Sequence, residues 1–241
     1  MEQLARDILT AKHVVLFTGA GMSTESGLPD FRSKSRGLWE KFNPDELANV
    51  QALEKNTEEF TAFYRYRLSE ITKHQAHQGH HILAKWEANG LIQGIITQNV
   101  DGFHHDAGSK HVMELHGTFR SFHCHYCKKE KARKAYLAGD TTCDACGSIT
   151  RPGIVLFGEM LPEDIFAMAE QESLKADLFI VLGSSLSVSP ANMFPMLAKQ
   201  QGAKLVIINR EPTDLDMYAD YCVHHRNIKE ILTETDGYLN K

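Results

Sequence analysis

No stretch of about 18 consecutive apolar residues occurs in this 241-residue chain, so no transmembrane helix is expected. The opening Met1-Glu2-Gln3-Leu4-Ala5-Arg6-Asp7 carries acidic residues and lacks the apolar core of a signal peptide. A cytoplasmic protein with no membrane partner is the expectation. Positive charge is not in excess: 26 Lys and Arg against 31 Asp and Glu give a net charge of −5. That removes a global electrostatic case for nucleic acid as a partner. With only five cysteines, an odd number, a disulfide framework gives way to a reducing compartment. Internal repeats and low-complexity segments are also missing. What remains is 42% hydrophobic and 24% charged, the balance of an ordinary globular protein with room for a main domain and an insert.

Along the chain, apolar runs alternate with helical stripes. Residues 2–11 predict a short amphipathic helix, and His13-Val14-Val15-Leu16-Phe17 a buried strand. Residues 33–56 are mixed, and 57–73 carry the stripe Phe60, Phe63/Tyr64, Arg67/Leu68 and Ile71. A helix over 76–89 ends at Asn89-Gly90. Strands are predicted over 91–97, 111–115, 177–182 and 204–209, and the apolar strand pattern resumes over 153–158. Further helices are expected over 162–175, 190–200 and 227–234. Such alternation predicts an α/β fold, a doubly wound parallel sheet interrupted by two inserts.

The sharpest spacing is Cys124-x2-Cys127-x15-Cys143-x2-Cys146, in a segment poor in large aliphatics. Two such knuckles surround one tetrahedral Zn²⁺ with four thiolates and leave no open position, so the ion is structural. The flanking His123 and His125 could substitute as ligands, although four thiolates already complete the site, and the lone Cys222 reads as a small buried hydrophobe. A second signal is the loop after the first strand. Its Gly19 and Gly21 let backbone N–H groups approach an anionic pyrophosphate. Ligands of open α/β sheets bind beyond the carboxyl ends of the strands. Those ends here hold Gly19-Ala20-Gly21, Gln98-Asn99-Val100-Asp101, Gly183-Ser184-Ser185 and Asn209. Together they favour a dinucleotide. However, Thr24 stands where a third glycine would complete Gly-x-Gly-x-x-Gly, and no acidic residue closes a second strand for a ribose diol. An ordinary hydride-transfer dehydrogenase is therefore disfavoured. Of the thirteen histidines, His116, directly after strand 111–115, is the best placed to act as a base.

These segments resemble the sirtuin family of NAD-dependent protein-lysine deacylases. The matching residues are Gly19 to Ser23 with Gly27-Leu28-Pro29-Asp30-Phe31-Arg32, then Thr97 to Asp101, Glu114-Leu115-His116-Gly117, the four cysteines, Phe157-Gly158-Glu159, Gly183-Ser184-Ser185 and Ile208-Asn209. Val100 stands where isoleucine is usual. The resemblance implies a Rossmann-like NAD-binding domain over 1–32, 76–118 and 153–241, a helical insert over 33–75 and a zinc ribbon over 119–152. It implies NAD, consumed as a co-substrate, against Gly19, Ala20, Gly21, Thr24, Arg32, Gln98, Asn99, His116, Gly183, Ser184, Ser185 and Asn209, with Arg210 and Cys222 at the adenosine end. Phe31, Val100 and Asp101 would form the nicotinamide pocket. Val155 and Phe157 would line the acyl-lysine tunnel, and the backbone of 157–159 and of 187–189, with Gly158, Glu159 and Val188, would pair with the substrate peptide as a strand.

In the reaction that the resemblance implies, the acyl oxygen attacks the ribose C1′ and nicotinamide leaves. His116 then deprotonates a ribose hydroxyl, which attacks the acyl carbon, while Asn99 positions the ribose and water. The products are free lysine, nicotinamide and O-acyl-ADP-ribose. Tyr64 and Arg67, three apart on one helix face, resemble the pair that receives succinyl and malonyl groups. The Pro29-Asp30-Phe31-Arg32 segment instead follows the deacetylases, and both acyl classes stay open. Alternatives are an NAD glycohydrolase or mono-ADP-ribosyltransferase using the same pocket, a non-catalytic NAD sensor, and a nucleic-acid-binding ribbon built on Lys128, Lys129, Lys131, Arg133 and Lys134. A monomer acting on acyl-lysine proteins is the expected state.

Overall fold

The computed structural model describes residues 1–30 and 43–240. Phe31 and Arg32, expected beside the reacting ribose, lie outside the described residues. The strands are β1 (Val14–Thr18), β2 (Gly94–Thr97), β3 (Val112–Glu114), β4 (Gly117–Cys124), β5 (Thr150–Ile154), β6 (Leu178–Leu182), β7 (Lys204–Ile208) and β8 (Tyr221–Val223). The helices are α1 (Glu2–Thr10), α2 (Pro44–Leu47), α3 (Val50–Lys55), α4 (Thr57–Thr72), α5 (Gln78–Ala88), α6 (Phe103–Asp106), α7 (Arg133–Leu137), α8 (Glu163–Lys175), α9 (Met193–Gln200) and α10 (Ile228–Leu239).

Six strands form a parallel sheet in the order β3-β2-β1-β6-β7-β8. Side-chain alternation explains why its central strands are apolar throughout. Val14 and Leu16 enter one core with Leu4 and Ile8 of α1, Leu83 and Trp86 of α5 and Ile231 of α10. Val15 and Phe17 enter a second core on the opposite face with Ala169 of α8 and Phe194 of α9. Both faces are covered, as a parallel sheet requires.

A third core stands apart from the sheet. Phe60, Phe63, Tyr64 and Leu68 of α4 pack against Phe119 and Phe122 of β4, Tyr136 of α7 and Ile154 of β5. The stripe read over 57–73 is therefore the buried face of α4.

The segment 153–158 departs from its reading. Only Gly153 and Ile154 are strand, and β5 pairs antiparallel with β4 in a separate two-stranded sheet. Beyond it the backbone is held elsewhere: Val155 N–H donates to the His116 carbonyl at 2.8 Å and Phe157 N–H to the Ala48 carbonyl at 2.9 Å. This apolar segment thus joins the small sheet to the loop carrying His116. The final helix also runs to Leu239, past the expected 234. Asp236 holds that extension by accepting from Trp86 Nε1 at 2.9 Å and pairing with Lys85.

Candidate active site

In the sheet order the chain winds outward through β2 and β3 on one side of β1, and through β7 and β8 on the side of β6. The β1/β6 boundary is the switch point, where adjacent strand exits splay and leave a crevice. The two loops leaving it touch backbone to backbone. Gly19 N–H donates to the Leu182 carbonyl at 3.1 Å, and Gly21 N–H to that of Gly183 at 2.8 Å. A Cβ on Gly21 would lie 2.7 Å from Gly183 Cα, and Gly183 itself has a φ of 65°. Only glycine permits this approach. Thr24, in the place of a third glycine, closes the loop differently, its hydroxyl donating to the Gly21 carbonyl at 2.9 Å.

The crevice opens into a cleft of ≈ 1350 Å³. Gly19, Ala20, Gly21, Thr24, Gln98, Asn99, Val100 and His116 line it from the β1, β2 and β3 side; Gly183, Ser184, Ser185, Val188, Asn209 and Arg210 line it from the β6 and β7 side. Single-ligand pockets span about 300–1,000 Å³, so the cleft has space for more than one substrate.

Below the cleft, hydrogen bonds fix the orientation of each polar group. Asn99 is buried, and its Nδ2 donates to the Gly19 carbonyl at 2.9 Å and to Ser23 Oγ at 3.2 Å. Both amide hydrogens are thereby committed, which leaves Oδ1 as the group Asn99 offers to a ligand. Ser23 Oγ in turn donates to Asp101 Oδ2 at 2.8 Å, while Asp101 Oδ1 accepts from Phe103 N–H at 2.9 Å. Burial pushes the Asp101 carboxyl above the usual carboxylate range, against those two hydrogen bonds and the Arg67 charge. Asp101 lies outside the main cleft, in a cavity of ≈ 50 Å³ shared with Ser23, Arg67, Asn99 and Val100. Ser23, which joins the β1 exit to the β2 exit, was not singled out from sequence as a site residue. Its sequence signal is its place at the end of the matching Gly19 to Ser23 segment.

His116 is half-buried, with Nδ1 3.1 Å from the Gln98 carbonyl. A carbonyl only accepts, so Nδ1 carries the proton and Nε2 presents the lone pair in the neutral ring. Gln98 is held by its own Nε2, which donates to Ser184 Oγ at 2.8 Å.

On the other side, Tyr64, Arg67, Val155, Phe157, Gly158 and Glu159 line the cleft. Tyr64 is buried among Phe60, Phe63 and Phe119, and that burial pushes its phenol up to about 12. The Arg67 guanidinium lies 5.4 Å from the Phe119 ring centroid, a cation–π contact, and lines both cavities. Phe157 is 48% exposed on the cleft wall, with its ring open to a ligand. The Glu159 side chain is structural: it forms an ion pair with Arg151, and Oε2 accepts from Leu156 N–H at 2.8 Å. The amides of Phe157 and Glu159 are also engaged, with Ala48 and Leu156. Among the described residues, Gly158 is left as the donor of that segment for strand pairing.

Beneath the β1 and β2 exits lies a cluster of buried polar side chains. Thr18 Oγ1 donates to Thr97 Oγ1 at 2.8 Å and meets His104 Nε2 at 3.0 Å. The His104 ring packs on His80 at 5.0 Å, and His80 on His77 at 4.4 Å. His77 caps α5, Nδ1 accepting from Gly79 N–H at 2.8 Å, and its Nε2–H donates to the Met22 carbonyl of the glycine loop at 2.7 Å.

The four cysteines of the ribbon form a structural Zn²⁺ site. Zn–S bonds of about 2.3 Å in a tetrahedron place sulfurs about 3.8 Å apart. Here Cys124–Cys146, Cys127–Cys143 and Cys127–Cys146 are 3.5, 3.6 and 3.6 Å apart. A disulfide would need about 2.05 Å. Backbone N–H groups of Cys127 and Ala145 point at Cys124 and Cys143 sulfurs, as thiolate acceptors require. In the neighbouring basic run, Lys131 is buried in an ion pair with Asp140 and Asp144, which removes it from any charged surface. Cys222, expected at the adenosine end, is on the edge strand β8 and does not line the cleft. It is half-buried and packs against the second core, as a small hydrophobe would, and burial with the Asp216 charge pushes its thiol up to about 11.

No helix of the described residues is long and apolar enough to cross a membrane. The Sir2 family model matches residues 19–190. An NAD-dependent protein deacetylase from Geobacillus kaustophilus is 54% identical over 232 residues, 96% of each chain. An NAD-dependent protein deacylase from Archaeoglobus fulgidus is 40% identical, covering 100% of this chain and 98% of its own. Among solved structures, a Sir2 homologue in complex with NAD superposes with a TM-score of 0.92 at 38% identity, over 100% of this chain and 94% of that one. A Sir2 variant bound to deacetylated p53 peptide and 3′-O-acetyl ADP-ribose gives 0.93 at 35%, over 98% and 97%. With the glycine loop, the paired amide and histidine and the four-cysteine ribbon in one fold, the chain belongs to the Sir2 family.

Proposed function

We propose that this chain removes acyl groups from protein lysines and consumes NAD in doing so. One observation carries the reading: Asn99, His116 and the β1 glycine loop converge on a single cleft at the sheet's switch point. The NAD pyrophosphate lies against Gly19 to Gly21 and Thr24, with Ser184, Ser185, Asn209 and Arg210 along its adenosine half. Asn99 presents Oδ1 to the ribose that loses nicotinamide. Val100 and Asp101 close the nicotinamide side, Asp101 accepting from the carboxamide with the lone pairs that Ser23 and Phe103 leave. His116 receives a ribose hydroxyl proton at Nε2, with Nδ1–H held on the Gln98 carbonyl. The acyl-lysine chain passes Val155 and Phe157, and its backbone pairs with Gly158 and the Val188 segment. Pairing of this kind reads little of a peptide's sequence.

Arg67 extends the reading to acidic acyl groups. A guanidinium and a phenol facing the cleft suit a distal carboxylate. A panel of acetyl-, succinyl- and malonyl-lysine peptides with NAD tests both parts. Wild type should release free lysine from acetyl-lysine, with nicotinamide release requiring the acyl peptide; peptide-independent release would instead indicate a glycohydrolase. Arg67→Met should lower succinyl turnover by about 10-fold or more relative to acetyl turnover, one charge-assisted contact being worth ~1.5–3 kcal/mol. An unchanged succinyl rate would remove the acidic-acyl assignment.

A further inference from the structure

Outside the cleft and the ribbon, one further group of metal-ligand atoms converges among the described residues. Asp216, Cys222 and His224 bring a carboxylate oxygen, a thiol sulfur and a ring nitrogen within 4.8 Å of one another. All three residues are half-buried. They come from different parts of the sheet edge: Asp216 from a short 3₁₀ turn, Cys222 from β8, and His224 from just beyond β8. Each has a second contact; that of the Cys222 thiol is the Asp216 backbone carbonyl, 3.9 Å from Sγ. His224 Nδ1 lies 2.8 Å from the Asn209 carbonyl, which only accepts, so Nδ1 carries the proton and Nε2 the lone pair of the neutral ring. That Nε2 is 3.0 Å from Asp216 Oδ2. Thr213 orients the carboxylate, its hydroxyl on Oδ1 at 2.7 Å and its N–H on Oδ2 at 3.1 Å.

The Nε2 lone pair and the carboxylate oxygen 3.0 Å from it are two donor atoms that one divalent cation can take, and the Cys222 sulfur completes a third corner. Imidazole, carboxylate and thiolate together suit Zn²⁺, and a backbone carbonyl on the distal ring nitrogen is the usual support of a zinc-bound histidine. We propose that Asp216, Cys222 and His224 form a second Zn²⁺ site with three protein ligands and one position open to water. It is distinct from the ribbon and independent of the deacylase reading. Asn209, whose carbonyl holds His224, also lines the cleft, so the ion would brace the loop that bounds the cleft's β7 side.

Zinc content after equilibrium dialysis against buffered micromolar free Zn²⁺ tests the proposal on the full chain. Wild type should hold two equivalents per chain; Cys222→Ser and His224→Ala should each hold one, the ribbon's. Cobalt substitution gives an independent readout. The second equivalent of Co²⁺ should add a thiolate charge-transfer band that Cys222→Ser lacks, while the ribbon's stronger bands persist and report a folded chain. A single equivalent in wild type, or a second that survives both substitutions, would overturn the site.

Discussion

Replacement of His116 by alanine should reduce NAD-dependent deacylation by about 10²–10⁴-fold or more, the range expected when a positioned general base is removed. The ribbon zinc should stay bound, because His116 belongs to the loop between β3 and β4 and touches none of the four cysteines. The argument rests on the Gln98 carbonyl. By accepting from Nδ1–H at 3.1 Å, it selects the tautomer whose Nε2 takes up a proton. Alanine removes the base and leaves the Asn99–Ser23–Asp101 hydrogen bonds in place. Steady-state assays with an acetyl-lysine peptide, alongside zinc content and circular dichroism, separate lost chemistry from lost fold. Turnover within a few-fold of wild type would show that His116 is not the base.

The second large effect is on stability in acid. His80 and His104 are 0% and 2% exposed, and burial holds both rings well below the usual histidine range, His104 at about 3. Between about pH 6.5 and the folded-state values, the unfolded chain binds protons that the folded chain does not. The stability these two neutral rings contribute is therefore fully present above pH 6.5 and falls as pH drops through that window, by up to about 1.4 kcal/mol per pH unit for each histidine. Glu114, whose carboxyl is pushed up to about 7 by burial, opposes one ring's worth of that loss over the same range, so two units of acidification remove a net few kcal/mol from a total of about 5–15 kcal/mol. Urea unfolding at a series of pH values should show this steep loss. His104→Gln, whose amide can still reach Thr18, should flatten the slope by about one proton. An identical slope in that variant would contradict the assignment of His104 as a buried neutral ring.

How much of this was legible in the sequence follows from where each signal resides. Strands buried on both faces, such as Leu178–Leu182, announce themselves as unbroken apolar runs. The stripe of α4 and the paired Cys-x2-Cys knuckles are equally local. Edge and ribbon strands are not. β8 has three residues, all half-buried, and β4 exposes Arg120 and Ser121 beside buried Phe119 and Phe122, so neither shows a clean period. Residues 153–158 looked like another sheet strand because their apolar side chains face the third core and the cleft.

Within the site, the strand-exit residues were legible because the doubly wound topology places all such exits at one edge. Ser23 was not, since its role depends on two exits lying within hydrogen-bond reach. Glu159 is read from sequence only through its backbone, as part of a peptide-pairing segment; that its carboxylate pairs with Arg151 depends on a fold contact the sequence does not show. Cys222 appeared solitary because Asp216 is six residues before it and His224 two after; only the turn of the chain around β8 brings the three together.

The account's central claim is that one cleft consumes NAD and an acyl-lysine together. Mass analysis of a single reaction tests it most directly. With an acetyl-lysine peptide and NAD, nicotinamide, deacylated peptide and O-acetyl-ADP-ribose should accumulate in equal amounts, and none of the three without the peptide. Free acetate with intact NAD, or ADP-ribose formed while the peptide stays acylated, would contradict it.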